Sequence, residues 1–186
     1  MTANTVDNYL RFITPTPGDP TYSLLKAHLL FEELLRAYLT RVLRHPEALD
    51  GARLTFVQLL AVARACSNVS PDSWCWTGVA KLNKLRNLLS HETAPKALSE
   101  RISEYVSFVV AQSGVPLPEA THSLSGSSRG ASSGPIYSAV DLATIGLYYS
   151  LAGLLGFDAT AALQESDSYS QSLHSLLMPA GDQGAG

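Results

Sequence analysis

A chain of 186 residues, 46% of them hydrophobic, is long enough to bury a core as one domain, which excludes wholesale disorder. Its formal net charge of −3 excludes a protein that is basic over its whole surface, as many nucleic-acid binders are. The two cysteines, Cys66 and Cys75, are too few for a disulfide framework or a cysteine-rich zinc site and favour a reduced, cytoplasmic setting.

The first half of the chain predicts helices. Residues 1–20 form an N-terminal arm and linker, because its end, TPTPGDP, contains too many prolines for regular structure. After it, apolar residues recur with helical spacing and are interrupted by Pro, Gly and Ser/Asn clusters. This pattern predicts four helices: from a cap at Thr21 to His45, from Ala52 to Cys66, from Asp72 or Ser73 to about Ser90, and from Pro95 to Val110.

The second half is a flexible Ser/Gly-rich segment, 113–135, followed by a helical segment, 136–177, and a tail, 178–186. Residues 136–157 are apolar and approach the roughly 20 residues that span a bilayer. Asp141 within them and the lack of closely flanking Lys or Arg favour a buried core or subunit-interface helix over a membrane span.

These elements predict an all-α protein. Residues 21–112 are expected to form an antiparallel four-helix bundle. The C-terminal apolar helix is expected to pack alongside this bundle or against a partner chain. The sequence contains no alternating pattern that indicates a strand and no internal repeat.

The stretch LNKLRNLLSHET, residues 82–93, carries the most distinctive polar pattern. Asn83, Arg86, Asn87 and Ser90 are spaced i, i+3, i+4 and i+7, so they share one face of a helix whose other side is leucine-rich. Residues 26–101, which include this stretch, carry eleven Lys/Arg and seven Asp/Glu, a balance of +4, whereas residues 102–186 are acidic. The local excess of positive charge indicates where an anion would bind.

Arg86 and His91 together have the chemistry needed to cleave RNA without a metal. A guanidinium binds phosphate in a two-pronged manner, and an imidazole exchanges a proton near neutral pH. On an ideal helix His91 lies about 140° from Arg86, so the two converge only if the helix ends or unwinds near Ser90. One histidine cannot easily act as base and acid in one step, whereas a symmetric dimer brings two histidines and two arginines to one cleft.

The segment Arg86-Asn87-Leu88-Leu89-Ser90-His91, two helices after a leucine-rich segment, resembles the Arg-polar-x-x-x-His motif of the HEPN superfamily. The resemblance covers residues 20–112 and implies an all-α, metal-independent endoribonuclease without a cofactor, active as a homodimer in a toxin–antitoxin pair or in phage defence. It implies that Arg86 and His91 are the catalytic pair and that Asn87 orients His91 or the phosphate. Lys81, Asn83, Lys84 and Ser90 are then expected to contact the RNA, and an antitoxin or regulatory protein is a candidate partner.

Several other interpretations remain open. Some relatives, such as mannitol-repressor-like proteins, act in regulation, and the net acidity of the chain favours such a non-catalytic interaction module. Arg86 and Asn87 could be a solvated face, with His91 at the helix end. Glu32 and Glu33 are expected at the surface of the first helix, although one of them could bind Arg86. His28 is expected at the same surface, and because no two histidines have i, i+4 spacing, no metal site is predicted.

Overall fold

The computed structural model describes residues 20–91, 98–114 and 138–158, and within these ranges the chain forms five α-helices and no strand. The α-helices are Pro20–Val42 (α1), Phe56–Cys66 (α2), Trp74–His91 (α3), Leu98–Ser113 (α4) and Ala139–Leu154 (α5), with a short 3-10 helix at Pro46–Leu49. The predicted all-α class is confirmed, and the helices pack as a bundle. Of the predicted N-terminal arm only Pro20 is described, and it begins α1, whereas of the predicted Ser/Gly-rich segment only Ser113, at the end of α4, and Gly114 are described. The residues after 158 lie outside the described ranges.

Helix α2 begins later than its apolar pattern suggested, at Phe56 instead of Ala52. Thr55 is the N-cap, and its hydroxyl accepts a hydrogen bond from the backbone N–H of Gln58 at 3.4 Å. The Gln58 side chain in turn accepts from the Thr55 N–H at 2.9 Å, which completes a capping box. Because the cap satisfies two N–H groups that no helical turn can reach, it sets the start of α2.

Both ends of α5 are determined locally. Ser138 and Asp141 form a second capping box, in which the Asp141 carboxylate accepts from the Ser138 N–H at 2.9 Å. At the other end Gly156 adopts a positive φ of 75°, and the N–H of Phe157 donates to the carbonyl of Ala152 at 2.9 Å. Arg41 of α1 donates to the carbonyl oxygens of Leu155 and Gly156, which attaches this end of α5 to α1.

The apolar helix α5 lies in the core of its own chain, packed against α1, α3 and α4. Its side chains from Val140 to Tyr149 are buried. The Tyr105 hydroxyl of α4 donates to the Thr144 hydroxyl of α5 at 3.1 Å, inside the core. Among the described residues no helix is long and apolar enough to cross a membrane. The hydrophobicity of α5 is therefore explained by burial on all sides.

Helix α3, which carries the polar stretch, is held in the core by a row of apolar side chains. Cys75, Val79 and Leu82 are fully buried, and Leu85 is nearly so. Gly78 lies against Leu147 of α5, where a Cβ atom would come within 2.8 Å of a leucine methyl group. A glycine is needed at this position for α3 and α5 to approach so closely. This packing determines which faces of α3 point toward α1 and α4.

Candidate functional site

The four predicted polar residues of α3 lie along a stripe that passes from the core to the surface. Asn83 is buried, Arg86 and Asn87 are half-buried, and Ser90 is exposed. Nη1 of Arg86 donates to Oδ1 of Asn87 at 3.2 Å, and the Ser90 hydroxyl donates to the Arg86 carbonyl at 2.9 Å. Asn87 therefore contacts the guanidinium of Arg86.

The amide of Asn83 lies in the interface between α1 and α3. Its Oδ1 is 3.1 Å from Nε2 of His28, and both side chains are buried. RNA could reach Asn83 only if α1 separated from α3, so the predicted RNA contact does not fit its position in the folded chain. Asn83 instead supplies a hydrogen-bond partner to a buried imidazole.

His28 lies in the core interface, not at the surface where the sequence analysis expected it. Leu24 and Phe31, one turn before and after it, are fully buried, so His28 shares the inward face of α1. Its ring also packs against the ring of Phe56, with centroids 4.1 Å apart. The predicted surface position of His28 was wrong because it was based on the polar character of histidine. Burial depends instead on which face of the helix the residue occupies.

Opposing effects set the pKa of His28, and their net result is a lowered pKa. Burial lowers the pKa of His28 below 6.5 and is the largest effect. The hydrogen bond to Asn83 opposes this, the positive charge of Arg86 lowers the pKa further, and the negative charge of Glu32 raises it. Because Oδ1 of Asn83 can only accept, the neutral ring carries its proton on Nε2.

The guanidinium of Arg86 forms no salt bridge with any residue that the structure describes. Glu32, which the sequence analysis considered as a partner for Arg86, instead pairs with Arg36 one turn along α1, at 2.9 Å. Among the described residues, no carboxylate therefore neutralises the positive charge of Arg86. Such a cation at the edge of a helix interface is suited to bind an anion.

His91 is the last residue of α3, and the helical backbone continues to it. Its position is i+7 from Lys84 and i+3 from Leu88, so these three positions share one stripe of α3. The helix thus places His91 about 140° from Arg86 around its axis. Within one chain the two predicted catalytic positions belong to different faces of α3.

Lys81 and Lys84 lie on the face of α3 that turns toward α4, away from Arg86. With Arg101 of α4 they line a groove of about 370 Å³. The two lysines were predicted from the sequence as RNA contacts, whereas Arg101 was not. No local pattern distinguishes Arg101 from other charged residues of α4, because its proximity to the lysines depends on how α3 and α4 pack.

Other chemistries have little support in the described part of the chain. No group of three or more His, Cys, Asp or Glu side chains is placed there to hold a metal ion. Burial raises the pKa of the Cys75 thiol to about 11, so this thiol is protonated at neutral pH and is a poor nucleophile. Comparison with known proteins finds no matching family model, no matching curated protein and no matching solved structure.

Proposed function

We propose that the chain is a HEPN-type endoribonuclease that cleaves RNA without a metal or cofactor. The observation that carries the proposal is the guanidinium of Arg86, which forms no salt bridge within the described ranges and lies five residues before the histidine that ends α3. The all-α fold supports it, because the five described helices pack together as a bundle.

In the proposed reaction a base removes the proton of a ribose 2′-hydroxyl, and the 2′-oxygen attacks the adjacent phosphorus. The bond from phosphorus to the 5′-oxygen breaks, an acid protonates that oxygen, and the products carry a 2′,3′-cyclic phosphate and a 5′-hydroxyl. His91 transfers the protons, and Arg86 stabilises the charge that builds on the phosphate. Asn87, bonded to Arg86, orients the guanidinium.

The proposed enzyme is a homodimer. Because Arg86 and His91 belong to different faces of α3, a second copy is needed to assemble a cleft with both groups. Two copies also supply the separate base and acid that the reaction requires. A role as a cytoplasmic toxin or phage-defence effector, with an antitoxin or regulator as partner, follows from the same family resemblance.

The test is cleavage of a single-stranded RNA by the purified chain in the presence of EDTA. We expect products with 2′,3′-cyclic phosphate ends, and at least about 10²-fold slower cleavage by Arg86→Ala and by His91→Ala. Arg64→Ala and His45→Ala, which remove exposed side chains of the same types, are the controls. Cleavage at the wild-type rate by purified His91→Ala, with unchanged helical content, contradicts the proposal.

A second candidate, a non-catalytic interaction module, has support from one surface of α1. Tyr22, Leu25 and Leu29 are 48%, 38% and 55% exposed and lie at i, i+3 and i+7, so they form one apolar stripe. This candidate predicts no ribonuclease activity in the wild type and loss of a partner complex in Leu25→Glu/Leu29→Glu. Cleavage that depends on Arg86 would exclude it.

A further inference from the structure

The groove between α3 and α4 combines a cationic rim with an apolar floor. Lys81, Lys84 and Arg101 contribute three positive charges, and Glu104 contributes one negative charge. Leu85, which is almost fully buried, and Leu88 of α3 also line the groove. A volume of about 370 Å³ falls within the ~300–1,000 Å³ range of small-ligand sites, so the groove has room for one nucleotide.

The groove is built by matching stripes on two helices. Positions 81, 84, 85 and 88 of α3 follow i, i+3, i+4 and i+7 spacing, and positions 101, 104 and 105 of α4 follow i, i+3 and i+4. Tyr105 anchors its wall, since its side chain is buried and its hydroxyl donates to Thr144 of α5. The groove is therefore formed by side chains whose backbones the core holds in place.

The charged groups of the rim are partly held in position. Nζ of Lys81 lies 5.1 Å from the centre of the Phe108 ring, and Nη1 of Arg101 donates to Glu104 at 2.9 Å. Glu104 neutralises one cation, which leaves a net charge of +2 for a phosphodiester. A positive groove with an apolar floor matches the backbone and the unstacked base of a single strand, but not a duplex whose bases are paired.

We propose that this groove binds one unpaired nucleotide of a single-stranded RNA, with its phosphate on Lys84 and Arg101 and its base over Leu88. This inference rests on the proposed function for its choice of ligand. The stripe of Lys84 and Leu88 continues along α3 to the position of His91, so the bound nucleotide adjoins the residue proposed to transfer protons. Arg101 then binds and positions the phosphate of the strand.

The experiment measures binding of a fluorescein-labelled ten-nucleotide oligouridylate to the His91→Ala chain by fluorescence anisotropy, so that binding is measured without cleavage. Adding Lys84→Ala and Arg101→Ala together should weaken binding about tenfold and, because the two side chains share one phosphate, reduce the slope of log K against log salt by about 0.7. Adding Arg44→Ala and Arg64→Ala instead makes the same charge change at exposed positions outside the groove and should leave the slope unchanged.

Two further measurements test the character of the site. Glu104→Gln should tighten binding, because it removes the negative charge beside Arg101. A fully paired RNA of equal length should compete poorly, since its bases cannot enter the groove. The inference would be overturned if Arg44→Ala/Arg64→Ala weakened RNA binding as much as Lys84→Ala/Arg101→Ala does. Equal competition by the paired and the unpaired RNA would also overturn it.

The experiments distinguish failure of the nucleotide-site proposal from failure of the nuclease proposal. If the wild type cleaves RNA, and Lys84→Ala/Arg101→Ala changes neither binding by the His91→Ala chain nor cleavage by the chain that retains His91, the nuclease proposal stands and the nucleotide site is wrong. If the groove variants lose binding while the wild type cleaves nothing, the nucleotide site stands and the nuclease proposal is wrong. Circular dichroism of every variant excludes misfolding as the cause.

Discussion

At the scale of single residues, the imidazole of His28 lies between α1 and α3 with Nε2 3.1 Å from Oδ1 of Asn83. Leaving a buried polar group without a hydrogen bond costs about 1–3 kcal/mol. The pair joins two helices at the point where Arg86 leaves the core for the surface. Asn83 thus influences the candidate site by fixing how α3 packs on α1, not by touching a ligand.

The pH dependence of stability should report the burial of His28. Its folded pKa lies below the unfolded value of 6.5, so the unfolded chain binds this proton more readily, and the contribution of His28 to stability falls as pH decreases below about 6.5. Denaturation in urea between pH 7.5 and 5 should show a smaller loss of stability in His28→Gln than in the wild type. His45→Gln removes an exposed imidazole as a control. Identical pH profiles for wild type and His28→Gln would contradict this prediction.

At the scale of helices, two glycines in the bundle should respond in opposite ways to the same substitution. Gly78→Ala places a Cβ atom 2.8 Å from a methyl group of Leu147, which is fully buried, so we expect a loss of about 1 kcal/mol despite the better helix propensity of alanine. Gly153→Ala, at an exposed position with no atom within 4 Å, should gain about 0.5–1 kcal/mol. Thermal unfolding of the two variants provides the comparison, and equal shifts in Tm would show that α3 and α5 are not in close contact at Gly78.

At the scale of the whole molecule, a dimeric cleft that requires two histidines should lose its ribonuclease activity when one of the two copies lacks His91. In an equal mixture of wild type and His91→Ala chains that have exchanged subunits, about a quarter of the dimers are fully wild type. Ribonuclease activity per total protein should therefore fall to about a quarter of the wild-type value, whereas independent sites would retain about a half. Sedimentation of the wild type should give twice the mass of the 186-residue chain. A monomer that cleaves RNA would refute the shared cleft.

Much of this protein was determined locally by its sequence. The spacing of apolar residues predicted the five helices, because burial of one face repeats with the helical period. The start of α2 was misjudged, although the signal for it, Thr55 followed by Gln58, is present in the sequence. The apolar composition of α5 favoured a buried helix over a membrane span, and the structure places it in the core.

Tertiary packing decided which side chains meet. Asn83 and Arg86 belong to one stripe in sequence, yet the rotation of α3 against α1 buries the first beside His28 and leaves the second half-exposed. The same rotation turns Lys84 toward Arg101, seventeen positions away in the sequence, and the two residues line one groove. Local sequence patterns do not predict this groove. Periodicity defines the faces of each helix separately, whereas the contacts between faces depend on how the buried side chains of neighbouring helices interdigitate.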